Sequence, residues 1–187
     1  MKNLTAVLAI LMMIFAGLAC SSDETDKANA LVDEANKFIT DGNKNVEDAQ
    51  KKGEDFDKMV KDAAGTKEDQ TKINDFAKSD LTPLYDKMKD NFTKAGDKFD
   101  EASKLKVNDK FKEYLQTKAS EFKKRAEYAE SLKAVPKSLA DSKDKDDYYE
   151  KAKKNNDDSK KLLDDAKALG DKAKKIQDDN PTIFKKN

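Results

Sequence analysis

Apolar residues recur along most of this chain with a helical period. Positions 28, 35, 42, 49, 56 and 63 read Ala, Ala, Gly, Ala, Phe, Ala, and Leu31, Phe38 and Met59, then Val32, Ile39, Val46 and Val60, run beside them. One continuous apolar stripe of this kind predicts a helix over about 25–64. Gly65 follows as a favoured C′ residue, and Thr66 with Asp69 three places on forms a weak analogue of a capping box. A second stripe holds Ile73, Phe76, Leu81, Leu84, Met88, Phe92, Ala95, Phe99 and Ala102, predicting a helix over about 67–105. Pro83 interrupts it and removes a hydrogen bond. Either a kink near Ser79 to Thr82 results, or a break in which Thr82 caps a new helix with Pro83 at its first position. Asn108 opens a third helix, over about 108–135, with the stripe Phe111, Leu115, Ala119, Phe122, Ala126, Ala129 and Leu132; Pro136 ends or kinks it. Lys137 to Asp147, polar apart from Leu139 and Ala140, reads as the loosest connection. The fourth stripe is Tyr148, Ala152, Asn155, Ser159, Leu162, Ala166, Leu169, Ala173 and Ile176, a helix over about 146–179 closed by Asn180-Pro181, with 181–187 as a tail.

No strand signal competes, because β-branched residues are sparse and nothing alternates with period two for long. The expected fold is all-α: an elongated antiparallel up-and-down four-helix bundle over 25–180 with coiled-coil-like heptad packing. Helices of ~36–40 residues at 1.5 Å rise make a rod about 55–60 Å long. Gly42 and Gly53 both lie on or beside the first stripe. Each costs ~1 kcal/mol relative to Ala in a helix interior, so close helix approach is the expected reason for both.

The first twenty residues follow a different pattern. Lys2 precedes an unbroken apolar run from Ala6 to Ala16; Gly17-Leu18-Ala19 leads to Cys20, and Ser21-Ser22-Asp23-Glu24 is polar. This is the three-part form of a secretory signal, too short for a comfortable membrane span of ~20 apolar residues. Cys20 is the only cysteine in the chain. Residues 1–20 resemble the precursor segment of bacterial lipoproteins, whose lipobox ends in a small residue followed by an invariant cysteine. Ala19 matches the small residue and Cys20 the lipidated one, while Gly17 stands where Leu is usual and Leu18 lies one place later. The resemblance implies a signal peptide over 1–19, a thioether-linked diacylglycerol on Cys20, cleavage before it and acylation (palmitate) of the new amine. Two or three acyl chains anchor stably at ~0.8 kcal/mol per buried CH₂. Residues 20–24 then form a tether of at most ~17 Å, which keeps the bundle near the membrane. Ser21 after the cysteine implies, by the same resemblance, outer-membrane release in a diderm envelope.

Composition narrows the chemistry further. Lys and Arg number 38 and Asp and Glu 38, interleaved, as on solvated helices and without the basic excess of a nucleic-acid binder. Outside the first segment only roughly 31% of residues are apolar, which suits a narrow seam better than a thick core. There is no His and no Trp, so His/Cys zinc sites, Ser-His-Asp and Cys-His nucleophiles and Glu-x-x-His di-iron sites are excluded. No phosphate-binding glycine loop occurs among the six glycines. Neither a catalytic, nor a cofactor, nor a metal set is expected, and Cys20 is the one modified residue. A carboxylate-only enzyme is the weakest of the readings.

Three further features each carry two readings. Asn45, Asn91, Asn155, Asn156 and Ser159 lie on or beside the seams, as a ligand pocket or as a hydrated layer that fixes register. The basic run Lys104, Lys106, Lys110, Lys112, Lys118, Lys123, Lys124 and Arg125 contacts anionic headgroups or polymer, or pairs with Asp157, Asp158, Asp164 and Asp165. Asp141, Asp144, Asp146 and Asp147 invite a calcium reading but lack the glycine and glutamate spacing of an EF-hand. Asn91-Phe92-Thr93 matches a glycosylation sequon inside an expected helix and is discounted. The functional expectation is a membrane-anchored envelope lipoprotein, a non-catalytic interaction or spacer module whose protein partner is unknown. The alternative is a chaperone-like carrier that opens its thin seam around an apolar client.

Overall fold

The computed structural model describes residues 23–184; the signal segment, Cys20 and residues 185–187 lie outside them. The described chain is an all-α helical bundle with no strand. Its elements are α1 (Thr25–Asp62), α2 (Lys67–Phe76), a π-helical turn (Ala77–Leu81), α3 (Thr82–Ser103), α4 (Asp109–Ser131), α5 (Ala134–Ala140) and α6 (Lys145–Asp179). No helix among the described residues is long and apolar enough to cross a membrane.

α1 is one unbroken helix, and its heptad stripe is its buried face: Ala28, Val32, Ala35, Gly42, Ala49, Phe56 and Val60. It stops at Asp62 rather than Ala64. Ala63 turns extended, at ψ 131°, and Gly65 adopts φ +84° inside the connection instead of closing the helix directly. The cause lies downstream. The Asp69 carboxylate accepts the Thr66 N–H at 3.3 Å and also the Ala64 N–H at 3.0 Å, while Thr66 Oγ1 accepts the Asp69 N–H at 3.1 Å. The capping box of α2 therefore pulls the connection off the helical path of α1.

The second predicted helix carries through Pro83 without a fresh cap. Thr82 is helical (φ −56°, ψ −44°), and both its N–H and its hydroxyl donate to the Ala77 carbonyl five residues back. The missing proline N–H is absorbed by one wide turn upstream of it, a known response to a break in the i→i−4 ladder. The helix ends at Ser103, two residues short of expectation, and Lys104 and Leu105 continue as a tight turn bonded to Glu101 and Ala102.

Two expectations on the third segment fail. α4 begins after Asn108, whose side chain accepts the Lys110 N–H at 2.8 Å, and it ends at Ser131 rather than 135. Pro136 sits in the first turn of a new helix, α5, where its missing N–H costs nothing. Much of the supposedly loose stretch is thus helical through Ala140. Pro136 and Ser138 are buried, and Asn155 of α6 donates to Ser138 Oγ at 2.7 Å and the Ala134 carbonyl at 3.2 Å. The expected tail also folds back. Phe184 is 8% exposed, edge-on to Phe111 and Tyr114 at 5.8 and 5.0 Å between ring centres.

Close packing follows chain order: α1 on α3, α3 on α4, α4 on α6, with α5 against α6. Phe92, Phe99, Phe111, Leu81, Met88 and Leu115 are the largest fully buried side chains, each worth ~1.5–3 kcal/mol of transfer free energy. Phe122 of α4 meets Phe99 at 5.7 Å, nearly stacked, and Phe92 at 6.0 Å.

Candidate functional site

Cys20, the one residue expected to be modified, is outside the described residues, and so is the apolar run before it. The chain becomes describable at Asp23 and is at once tied to the body. The Glu24 N–H donates to the Lys106 carbonyl at 2.8 Å, and its carboxylate accepts the Lys106 N–H at 3.1 Å. That bond, with Lys27 beside it, holds the Glu24 carboxyl below its ordinary range. Asp23, Glu24, Asp26, Lys27 and Lys106 line an open cleft of about 570 Å³ at this end. Nearby in sequence, Asn29 is 6% exposed, and among the described residues neither of its side-chain polar atoms has a hydrogen-bond partner.

The five polar seam residues do not converge. Asn45 donates to the Asp41 carbonyl of its own helix at 2.8 Å. Asn91 is half-buried on α3, and Asn156 is exposed. Only Asn155 and Ser159 work together: Asn155 is held by α5 as above, and Ser159 accepts from Ser131 of α4 at 2.8 Å. These two fasten α6 to its neighbours and leave no shared pocket.

The ion pairs of Lys104, Lys110, Lys118, Lys124 and Arg125 lie within their own helices, while Lys124 also feels the charge of Asp165 on α6. Lys110 meets Glu113, Lys124 meets Glu127, and Lys104 meets Asp100 at the end of α3. Asp158 and Asp164 are instead matched by Lys161 and Lys167 on α6 itself. Spacings of three and four already place these charges side by side, so no cross-helix reach is needed. In the calcium candidate, Asp144 caps α6 by accepting the Asp147 N–H, and Asp147 accepts from Lys143 N–H and Lys151 Nζ. No group of three or more possible metal ligands occurs among the described residues.

Sequence reasoning missed a buried charge cluster on α4. Glu121 is 3% exposed. Its carboxylate takes Lys118 Nζ at 2.6 Å on one oxygen, and Arg125 Nε at 2.9 Å and Nη2 at 2.8 Å on the other. Lys118 also lies 4.7 Å from the Phe122 ring centre and 5.8 Å from that of Phe99, and Arg125 is 5.5 Å from Phe122. Against the carboxylate sits Gly170 of α6: a Cβ there would meet Glu121 atoms at 3.2–3.3 Å. The i, i+3 and i+4 spacing of the three charges was visible, but it recurs along most of this chain. Nothing local marks Glu121 as the buried instance. No protein-family model, curated protein or solved structure matches this chain.

Proposed function

We propose that the chain is a lipid-anchored lipoprotein of a bacterial cell envelope whose mature part is a non-catalytic interaction or spacer module. One observation carries the reading: the only cysteine, Cys20, stands where the apolar run from Ala6 to Ala16 gives way to Ser21-Ser22-Asp23-Glu24. The bonds between Glu24 and Lys106 support it, because they bring the folded body to within four residues of Cys20, a reach of at most ~14 Å. The bundle would then stand at the bilayer surface, on the outer membrane if the envelope has two.

For the arrangement we propose four helical segments running up and down, antiparallel, along heptad seams. The ties between helices support this by their order. Glu34 pairs with Lys98 and Lys52 with Asp80; Lys89 pairs with Glu130 and Asp86 with Lys133; Glu121 faces Gly170 and Ser131 faces Ser159. As one partner's number rises the other's falls, which neighbours of opposite direction require. The partners in this reading are the membrane, through Cys20, and an envelope protein of unspecified kind. No nucleic acid, cofactor or catalytic set is invoked.

The test is processing. Labelled palmitate should enter the wild-type chain and not Cys20→Ala, which should accumulate as unlipidated precursor; label in Cys20→Ala would overturn the anchor. In a diderm host, fractionation should place the protein in the outer membrane, and inner-membrane retention would end that part of the proposal. A second reading, a carrier that opens around an apolar client, is favoured by the small and polar groups between α4 and the middle of α6. It requires saturable binding of an apolar probe accompanied by loss of protection in α6.

A further inference from the structure

α6 is held differently from the other long helices. Where α1, α3 and α4 meet, Phe56, Val60, Met88, Phe92, Phe99 and Phe122 join small alanines in one continuous core. On α6 only the ends join that core, through Tyr148 and Ala152 at the start and Ile176 with the following Phe184 at the finish. Between them Ala166 and Ala173 are buried but stay outside the continuous cluster, and Leu162, Leu163 and Leu169 are half-buried and outside it too. What seats this stretch is polar or small: Asn155 on Ser138 and the Ala134 carbonyl, Ser159 on Ser131, and Gly170 on the Glu121 carboxylate.

Such contacts hold less free energy than aromatic burial. A net hydrogen bond contributes ~0.5–1.5 kcal/mol, and an ion pair between Lys118, Glu121 and Arg125 lies wholly within α4, so it survives if α6 leaves. Parting the two helices exposes Glu121 to water, which relieves the desolvation of a buried carboxylate. It uncovers no large aromatic side chain from the middle of α6, because none is there.

We propose that α6 is a strap: between Asn155 and Ala173 it lifts from α4 in a local opening while α1, α3 and α4 stay packed. The inference stands whether or not the chain is lipidated or takes a client. A detached helix of this length without its packing face is marginal in water, so its own hydrogen bonds open once it lifts.

Hydrogen exchange on the full chain in detergent tests it. Amides from 155 to 173 should exchange together, at least about ten-fold faster than those of central α1, α3 and α4, and with a weaker dependence on denaturant. Exchange in step with the other helices would overturn the proposal, and so would rates graded inward from one end, which mean fraying. A second measurement locates the opening. In a Cys20→Ala background, Ser131→Cys with Ser159→Cys should form a disulfide, since the two hydroxyls lie 2.8 Å apart. Oxidation should slow exchange over 155–173 to the level of α4, and reduction should reverse it. If the disulfide does not form, or forms and leaves exchange unchanged, the strap does not open at this seam.

Discussion

Gly42 and Gly53 obey the same local rule and differ only in what stands opposite them. A Cβ on Gly42 would come within 2.6 Å of Phe92 Cε1 and 2.9 Å of its Cδ1, and Phe92 is 1% exposed with no room to withdraw. The close approach expected from the heptad stripe is therefore real at Gly42. At Gly53 nothing lies within 4 Å of the same atom, so the expectation drawn for it fails. The two make a paired prediction. Gly42→Leu should destabilise by at least the ~1–3 kcal/mol typical of overpacking, despite the ~1 kcal/mol that leaving glycine returns in helix propensity. Gly53→Ala should stabilise by up to ~1 kcal/mol, raising the thermal midpoint by about 2–4 °C for a chain of this size. Equal signs for the pair would refute the packing argument. Glu121 supplies the next test at this scale. Glu121→Ala leaves two cations facing a void, but their side chains remain 19% exposed and can reach solvent. The loss should therefore fall near ~2–3 kcal/mol, below the 3–5 of a fully buried pair. A neutral result in thermal unfolding would mean that the cluster adds nothing to the bundle.

Among the elements, those with a long stripe were legible and those defined by a partner were not. α1 carries its stripe from Ala28 to Val60 and α6 from Tyr148 to Ile176, and this periodicity placed both. α5 has only seven residues, too short for a period to register; it is made by the burial of Pro136 and Ser138 and by Asn155 reaching across from α6. The π-helical turn is equally unreadable, since Pro83 announces a disturbance without fixing which residues absorb it. The start of short α2 was placed by its cap, while its stripe was read as part of one helix over 67–105. α2 is ten residues long and buries only Ile73, so isolated it would not persist. Thr66→Ala removes the acceptor for the Asp69 N–H and leaves one member of the reciprocal pair. We expect a loss of about 1 kcal/mol, concentrated as faster hydrogen exchange over 67–76. Unchanged protection there would show that packing on the π-helical turn, not the cap, holds α2. Cys20, the one site residue singled out from the sequence, lies outside the described residues, and the Glu121 cluster was hidden by the sheer number of carboxylates with a cation three or four residues away.

The molecule as a whole has a charge pattern with a definite pH signature. Hydrogen bonds from lysines, from the Thr66 side chain to Asp69, or from backbone groups hold Glu24, Glu34, Asp69, Asp80, Asp100, Glu113, Glu130 and Asp147 below their ordinary carboxylate values. A depressed carboxylate contributes stability that is present above its unfolded value and lost as pH falls through the folded one. Among the described carboxylates Asp57 is shifted up, by burial, and opposes this trend. At the other end, acceptor carboxylates raise Lys52, Lys98, Lys104, Lys110, Lys124 and Lys133. Burial pushes Tyr85, Tyr114 and Tyr148 up to about 12. A raised group contributes stability present below its unfolded value, near 10 for tyrosine, and lost as pH rises beyond it. Between these limits no described residue has its ordinary pKa, because the chain contains no histidine and its one cysteine lies outside the described residues. The thermal midpoint should therefore be flat from about pH 5.5 to 9, fall below about pH 4.5, and fall again above about pH 10. Most of the paired carboxylates are exposed, so the acid limb is a sum of many small contributions and should shallow in 1 M salt, where the screening length is only ~3 Å. The alkaline limb rests partly on buried phenols, where salt has little access, and should persist. A midpoint that drifts across the neutral plateau, or an alkaline limb that salt removes as fully as the acid one, would contradict this account.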